Sequence, residues 1–134
     1  MKRIILFLVI TCGICFGQSE LGQAIDLVNA NRYDEAQTLV DTYLLDNSND
    51  HGANFIKALI LVHKKHFNKA IGYIEKAIAS KSDKAEYYQL AGQLYEELKN
   101  TKSAIQAWEK CHAHAKDTRL FVEAKNHLNY LKKK

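Results

Sequence analysis

The sequence predicts an all-α domain of stacked helix pairs, and three observations carry that prediction. None of the 134 residues is proline, and no stretch shows the strict alternation of apolar and polar residues that marks strands. Apolar residues recur instead at spacings of three and four, as they do on one face of a helix. Laid against itself with a shift of 34, the chain repeats its small and aromatic residues slot by slot, which is the sign of a stacked array.

In that register Ala36, Ala70 and Ala104 coincide, as do Ala24, Ala58 and Gly92. Leu27, Leu61 and Tyr95 share a slot, and so do Val40, Ile74 and Trp108. Tyr33 matches Phe67, where the third copy has Thr101. Asn49, Asp83 and Asp117 also fall together, each in a short polar stretch ahead of a new apolar run. Asn and Asp side chains accept hydrogen bonds from the first free N–H groups of a helix, so this slot is expected to mark where each pair starts.

At the N-terminus Lys2 and Arg3 precede an uncharged apolar run from Ile4 to Phe16, shorter than the roughly 20 residues of a spanning helix. This pattern is that of a secretory signal peptide, residues 1–17, with the cut expected after the small residue Gly17. An uncleaved anchor is the alternative. Cys12 and Cys15 raise a lipoprotein reading, against which Thr11 and Ile14 stand where a small residue is required. The mature chain is then 18–134, an ordinary size for one core, and its formal charge is two below the +4 of the whole sequence.

Helices are expected at about 20–31, 33–46, 52–65, 67–80, 85–98, 101–115 and 119–132, the first six forming three pairs. Leu21, Ala24, Ile25, Leu27 and Val28 share one face of the first. Ala36, Leu39, Val40, Tyr43 and Leu44 do the same in its partner. The small residues let paired helices approach closely, and Val40, Ile74 and Trp108 fill the space beside them. Asn100 is a candidate cap for the sixth helix. In the last helix Phe121, Ala124, Leu128 and Leu131 form an apolar stripe with Glu123 on the other side, the composition of a terminal unit that closes a stack.

Period, filled slots and helical pairing together resemble the tetratricopeptide repeat family, carried best by Tyr88, Ala91, Gly92, Tyr95, Ala104 and Trp108. Repeats run over about 17–50, 51–84 and 85–118, followed by the capping helix 119–134. The glycine usual between the helices of a pair is replaced by Asn31, Lys65 or Lys99. The resemblance implies a right-handed α-solenoid whose first helices line a concave groove that holds peptides or partner proteins. Its lining would be Leu21, Ile25, Val28 and Asn29, then Phe55, Leu59, Val62 and His63, then Gln89, Gln93, Glu96 and Glu97. Members that clamp a C-terminal carboxylate use Lys, Arg and Asn in such slots, which Leu21, Ile25, Phe55 and Leu59 occupy here.

Positive and negative charges are interspersed, 19 Lys and Arg against 15 Asp and Glu, which gives no argument for a nucleic-acid partner. No glycine-rich phosphate loop, nucleophile elbow or HExxH motif is present, so no enzyme activity, small-molecule substrate or cofactor is expected. His63 and His66, or Cys111, His112 and His114, would supply only two ligands on any one face, short of a metal site. Cys111 stands in the slot of Ala77 and is read as a small buried residue, with a reactive thiol as the alternative. Helix 52–65 is apolar around nearly its whole circumference, which burial on both sides or a partner-binding groove would explain. The sequence therefore predicts an exported, non-catalytic scaffold or adaptor of the periplasm or extracellular space that binds a protein or peptide. A homodimer built on helix 52–65, and a metal-binding or redox accessory protein, are the alternatives.

Overall fold

The computed structural model describes residues 19–134, and the expected signal segment, 1–17, lies outside them. Seven helices follow one another among the described residues. They are α1 (Glu20–Asn29), α2 (Tyr33–Asp46), α3 (His51–His63), α4 (Phe67–Ser80), α5 (Ala85–Glu97), α6 (Thr101–His114) and α7 (Thr118–Lys132). Successive helices pack as the pairs α1/α2, α3/α4 and α5/α6, each pair against the next, with α7 closing on α6. The architecture is an all-α solenoid, as the sequence predicts.

The turn inside each pair is built the same way three times. Asn31, Lys65 and Lys99 adopt left-handed φ values of 59°, 60° and 57°. The following amide then reaches back five residues: Arg32 N–H donates to the Leu27 carbonyl, His66 to Leu61 and Asn100 to Tyr95, each at 2.8 Å. The left-handed residue's own N–H donates to Val28, Val62 or Glu96. These bonds satisfy the last free carbonyls of α1, α3 and α5, and end each helix one or two residues before its sequence-expected limit. Glycine takes this conformation without penalty, whereas a β-carbon costs roughly 1 kcal/mol. Asn31 suffers least, because asparagine visits the region routinely.

Between pairs, the shared Asx slot works as a cap in one copy only. Asp117 Oδ1 accepts from Leu120 N–H at 2.7 Å. In the first break the cap is Asp50, whose Oδ1 accepts from Ala53 N–H at 2.8 Å, and not Asn49. Asp83 pairs with Lys81 at 3.6 Å, while α5 starts after Lys84 with no side-chain cap. The reason is register: α7 begins one slot earlier than α3 and α5, so only Asp117 adjoins its helix. Asn100 caps α6 as expected, through Ser103 N–H at 3.1 Å. The buried Asn54 side chain donates to the Ser48 and Asp50 carbonyls at 3.0 and 2.8 Å and pins the first loop.

Three apolar clusters run along the stack. The first joins Ala24, Ala36 and Val40 to Ala53, Ile56 and Ile60 of α3. The second joins Ala58 and Leu61, also of α3, to Ala70, Ile74 and Ala77 and to Tyr87, Leu90, Ala91 and Leu94 of α5. Burial on both sides therefore accounts for most of the apolar circumference of α3, and Phe55, Leu59 and Val62 edge the second cluster. The third contains Trp108, Cys111 and, from α7, Leu120, Ala124 and Leu131. Leu120 thus takes the buried place expected of Phe121, which lies 40% exposed with its ring 4.0 Å from that of His112. Glu123, expected to face away, is half-buried and accepts from Gln89. Ala124, Leu128 and Leu131 keep the inward side expected of them, and Leu120, four residues before Ala124, completes their face where Phe121 falls at its edge.

Gly92 sits under the fully buried Trp108, where an added β-carbon would fall 2.7 Å from the indole ring. The earlier copies pair alanine, Ala24 or Ala58, with the smaller Val40 or Ile74. Cys111 is fully buried, and burial, aided by Glu123, Glu86 and Asp117, pushes its thiol up to about 12. At neutral pH it is a small core residue without thiolate character.

Three predictions follow from this packing. Lys65→Gly is expected to raise unfolding stability by about 0.5–1 kcal/mol in urea titration, and Asn31→Gly by less. Gly92→Ala should lose about 1–3 kcal/mol through overpacking. In a Trp108→Ile background the same change should turn neutral or favourable, since alanine is the better helix former by about 1 kcal/mol. In residues 19–134, a thiol reagent should leave Cys111 unmodified until denaturant is added, whereas prompt labelling of the native fold would contradict its burial.

Candidate functional site

The first helix of each pair presents a row of side chains at i, i+4 and i+7, which share one helix face. The 34-residue register aligns these rows across the stack. Leu21, Phe55 and Gln89 form one line; Ile25, Leu59 and Gln93 a second; Val28, Val62 and Glu96 a third. Helix α7 continues all three with Glu123, His127 and Tyr130. The sequence-derived lining omits these three residues, because α7 reads there as a cap. The same shift that aligns the other rows points to them.

Contacts between rows are polar at the α5–α7 end. Gln89 Nε2 donates to Glu123 Oε1 at 2.9 Å. Glu96 Oε1 accepts the Trp108 indole N–H at 2.5 Å and lies 2.8 Å from His127 Nδ1. The His127 ring stacks on Trp108 with centroids 4.1 Å apart. Gln89 and Glu96 are thus engaged within the chain and tie α7 to α5 and α6. Gln93 and Glu97 are exposed.

The α1–α3 end is apolar. Leu21 and Val28 are partly buried against the first cluster, Ile25 is 47% exposed and Asn29 is exposed. Phe55 lies against Tyr87 with centroids 4.7 Å apart, and the Tyr87 hydroxyl is 2.6 Å from His51 Nδ1. His63 stacks on Tyr33 at 4.5 Å. Where α3 meets α5, a cavity of about 470 Å³ opens. Val62, Phe67, Leu90 and Leu94 give it apolar walls, and His63, Lys65, Gln93 and Glu97 edge it. The structure therefore gathers Val62, His63, Gln93 and Glu97 around one hollow.

No three His, Cys, Asp or Glu side chains among the described residues converge to hold a metal ion. None of the described helices is long and apolar enough to cross a membrane.

Comparison with solved structures shows the same fold in bacterial proteins. The type III secretion translocator chaperone SycD of Yersinia enterocolitica superposes with a TM-score of 0.79 at 9% identity, covering 84% of this chain and 81% of its own. PcrH from Pseudomonas aeruginosa gives 0.76 at 12% identity, covering 84% and 89%. MamA from Desulfovibrio magneticus RS-1 gives 0.73 at 23% identity, with 84% of this chain matched to 62% of that one. SycD has been solved in complex with a peptide of the translocator YopD, and PcrH with the chaperone binding region of PopD. At these identities the likeness is one of fold. No curated protein is similar in sequence. The family model described as anaphase-promoting complex, cyclosome, subunit 3 matches residues 29–111, most of the described chain and all three helix pairs in whole or in part. The chain belongs to that family, whose repeats are of the tetratricopeptide type.

Proposed function

We propose that the domain is a non-catalytic protein-binding module that holds a helix or extended segment of a partner protein along the face of its first helices. The observation that carries this reading is the apolar row on α1 and α3, left partly open to water at Ile25, Leu59 and Val62, which runs into the cavity beside Val62. A partner helix or extended segment that covers such a row removes apolar surface from water. The peptide complexes of SycD and PcrH, which share the fold, support the reading.

In this proposal Leu21, Ile25, Val28, Phe55, Leu59 and Val62 make the apolar contacts. Asn29, His63 and Gln93 supply the exposed polar groups, and the polar end is bordered by Gln89 and Glu96, which are bonded to Glu123 and His127, and by Tyr130. The charged start at Lys2 and Arg3 and the apolar run from Ile4 to Phe16 support export, which would make the protein a scaffold or adaptor of the periplasm or extracellular space.

Leu59→Glu tests the groove. A partner captured by the wild-type protein from the envelope fraction, then purified, is expected to bind the variant at least about tenfold more weakly while helicity is unchanged. Equal affinity for a correctly folded variant would remove the groove from the proposal. Retention of nothing but further copies of the chain would favour self-association instead.

A further inference from the structure

The stack carries a second kind of hollow, on the side of α3 and α5 away from the rows described above, where one pair's second helix meets the next. It occurs twice, 34 residues apart. The first trough lies between α2 and α4 across α3, with a cavity of about 370 Å³; the second lies between α4 and α6 across α5, with about 320 Å³.

The floors differ. In the first, the side chain of Lys57 lies in the trough, 95% of its surface buried, and its Nζ donates to Asp41 Oδ1 at 2.5 Å. The same ammonium stands 5.8 Å from the centre of the Tyr73 ring. One repeat later the acid is kept, as Glu75 in the slot of Asp41, but Ala91 replaces Lys57 and Ala107 replaces Tyr73. Glu75 makes no ion pair among the described residues; its Oε1 accepts the Tyr95 hydroxyl at 2.5 Å. A carboxylate has room for further donors beyond that one. Tyr88 and Tyr95, in the slots of Asn54 and Leu61, give the second trough two aromatic walls where the first has the single ring of Tyr73.

We propose that the second trough takes the side chain of a lysine presented by a partner protein. Its ammonium would sit on Glu75 and its stem would lie along the methyl groups of Ala91 and Ala107, between Tyr88 and Tyr95. The first trough supplies the precedent within the same chain: an alkyl stem over the floor helix, an ammonium on the acid of the preceding second helix, and an aromatic ring beside the cation. Lysine stems cover apolar surface while the charged head finds a partner, and tyrosine faces attract the cation. Lys110 at the rim does not oppose this occupant, because Lys76 holds the same place beside Lys57 in the first trough. The site is independent of the groove on the first helices, so either can fail alone.

Titration of the isotope-labelled protein with Nα-acetyl-lysine N-methylamide, followed through the methyl signals of Ala79, Ala91 and Ala107, tests the proposal. Saturable shifts at these methyls are expected, with a dissociation constant on the order of millimolar for so small a probe. The norleucine analogue, which keeps the stem and loses the charge, should leave them unmoved. Glu75→Gln, at an exposed position, should weaken lysine binding about tenfold. Ala91→Lys rebuilds the first trough's floor and should abolish binding. Absence of saturable shifts in the wild type, equal binding of the norleucine analogue, or undiminished binding by Glu75→Gln would each overturn the assignment, whether or not the Ala91→Lys protein folds.

Discussion

Close approach of the two helices within a pair is the constraint from which the rest of the structure follows. Ala24 and Ala36, Ala58 and Ala70, and Gly92 and Ala104 are all buried at matched places, where larger side chains would push the helices apart. Their small size fixes the pair as a unit, and the second helix then offers Val40, Ile74 or Trp108 to fill what remains. The last of these is the largest, and Gly92 is the compensation: the indole lies where a β-carbon would otherwise stand. Trp108 in turn donates to Glu96, which also meets His127 of α7. The absence of one methyl group on α5 therefore permits a ring on α6 that anchors the terminal helix.

A pair alone cannot bury its apolar faces, and α3 shows how stacking solves this. Ala53, Ile56 and Ile60 serve the first cluster while Ala58 and Leu61 serve the second. Polar residues that this arrangement encloses are satisfied within the loops and neighbouring helices: Asn54 by two carbonyls and Lys57 by Asp41. Among the described residues no fully buried side-chain nitrogen or oxygen lacks a hydrogen-bond partner. Stability in such an array is a matter of each unit and its neighbours, so substitutions in one cluster act chiefly on the interfaces beside it.

Much of this was legible in the sequence because packing sets size at fixed intervals. The helix pairs and their order follow from the 34-residue recurrence, and the positive φ at Asn31, Lys65 and Lys99 falls where glycine is usual in the family that the repeats resemble. The misreadings share a cause. Asn49 and Asp83 are in register with Asp117, and Phe121 is as apolar as Leu120, yet α7 enters one residue early and buries Leu120, four residues before Ala124. Register between repeats does not fix where a helix that lacks a following partner begins. The same omission hid Glu123, His127 and Tyr130 as continuations of the first-helix rows. The cavity beside Val62 was not legible at all, since its wall joins Leu90 and Leu94 of α5 to Phe67 of α4.

Between the slots that packing holds constant, the copies are free to diverge, and they do so on both exposed sides of the first helices. Along one side the rows pass from Leu, Ile and Val on α1 through Phe, Leu and Val on α3 to Gln, Gln and Glu on α5, and then to Glu, His and Tyr on α7. On the other side a buried Lys57 paired with the exposed Asp41 in one trough gives way, in the next, to Ala91 beside an exposed Glu75 that accepts from Tyr95. Neither change alters the small-residue contacts inside the pairs, so neither disturbs the frame. The outcome is a stack whose repeats are alike where they touch one another and unlike where they meet solvent. A segment lying along the first-helix face, as proposed, would therefore meet apolar surface at one end and hydrogen-bonding groups at the other.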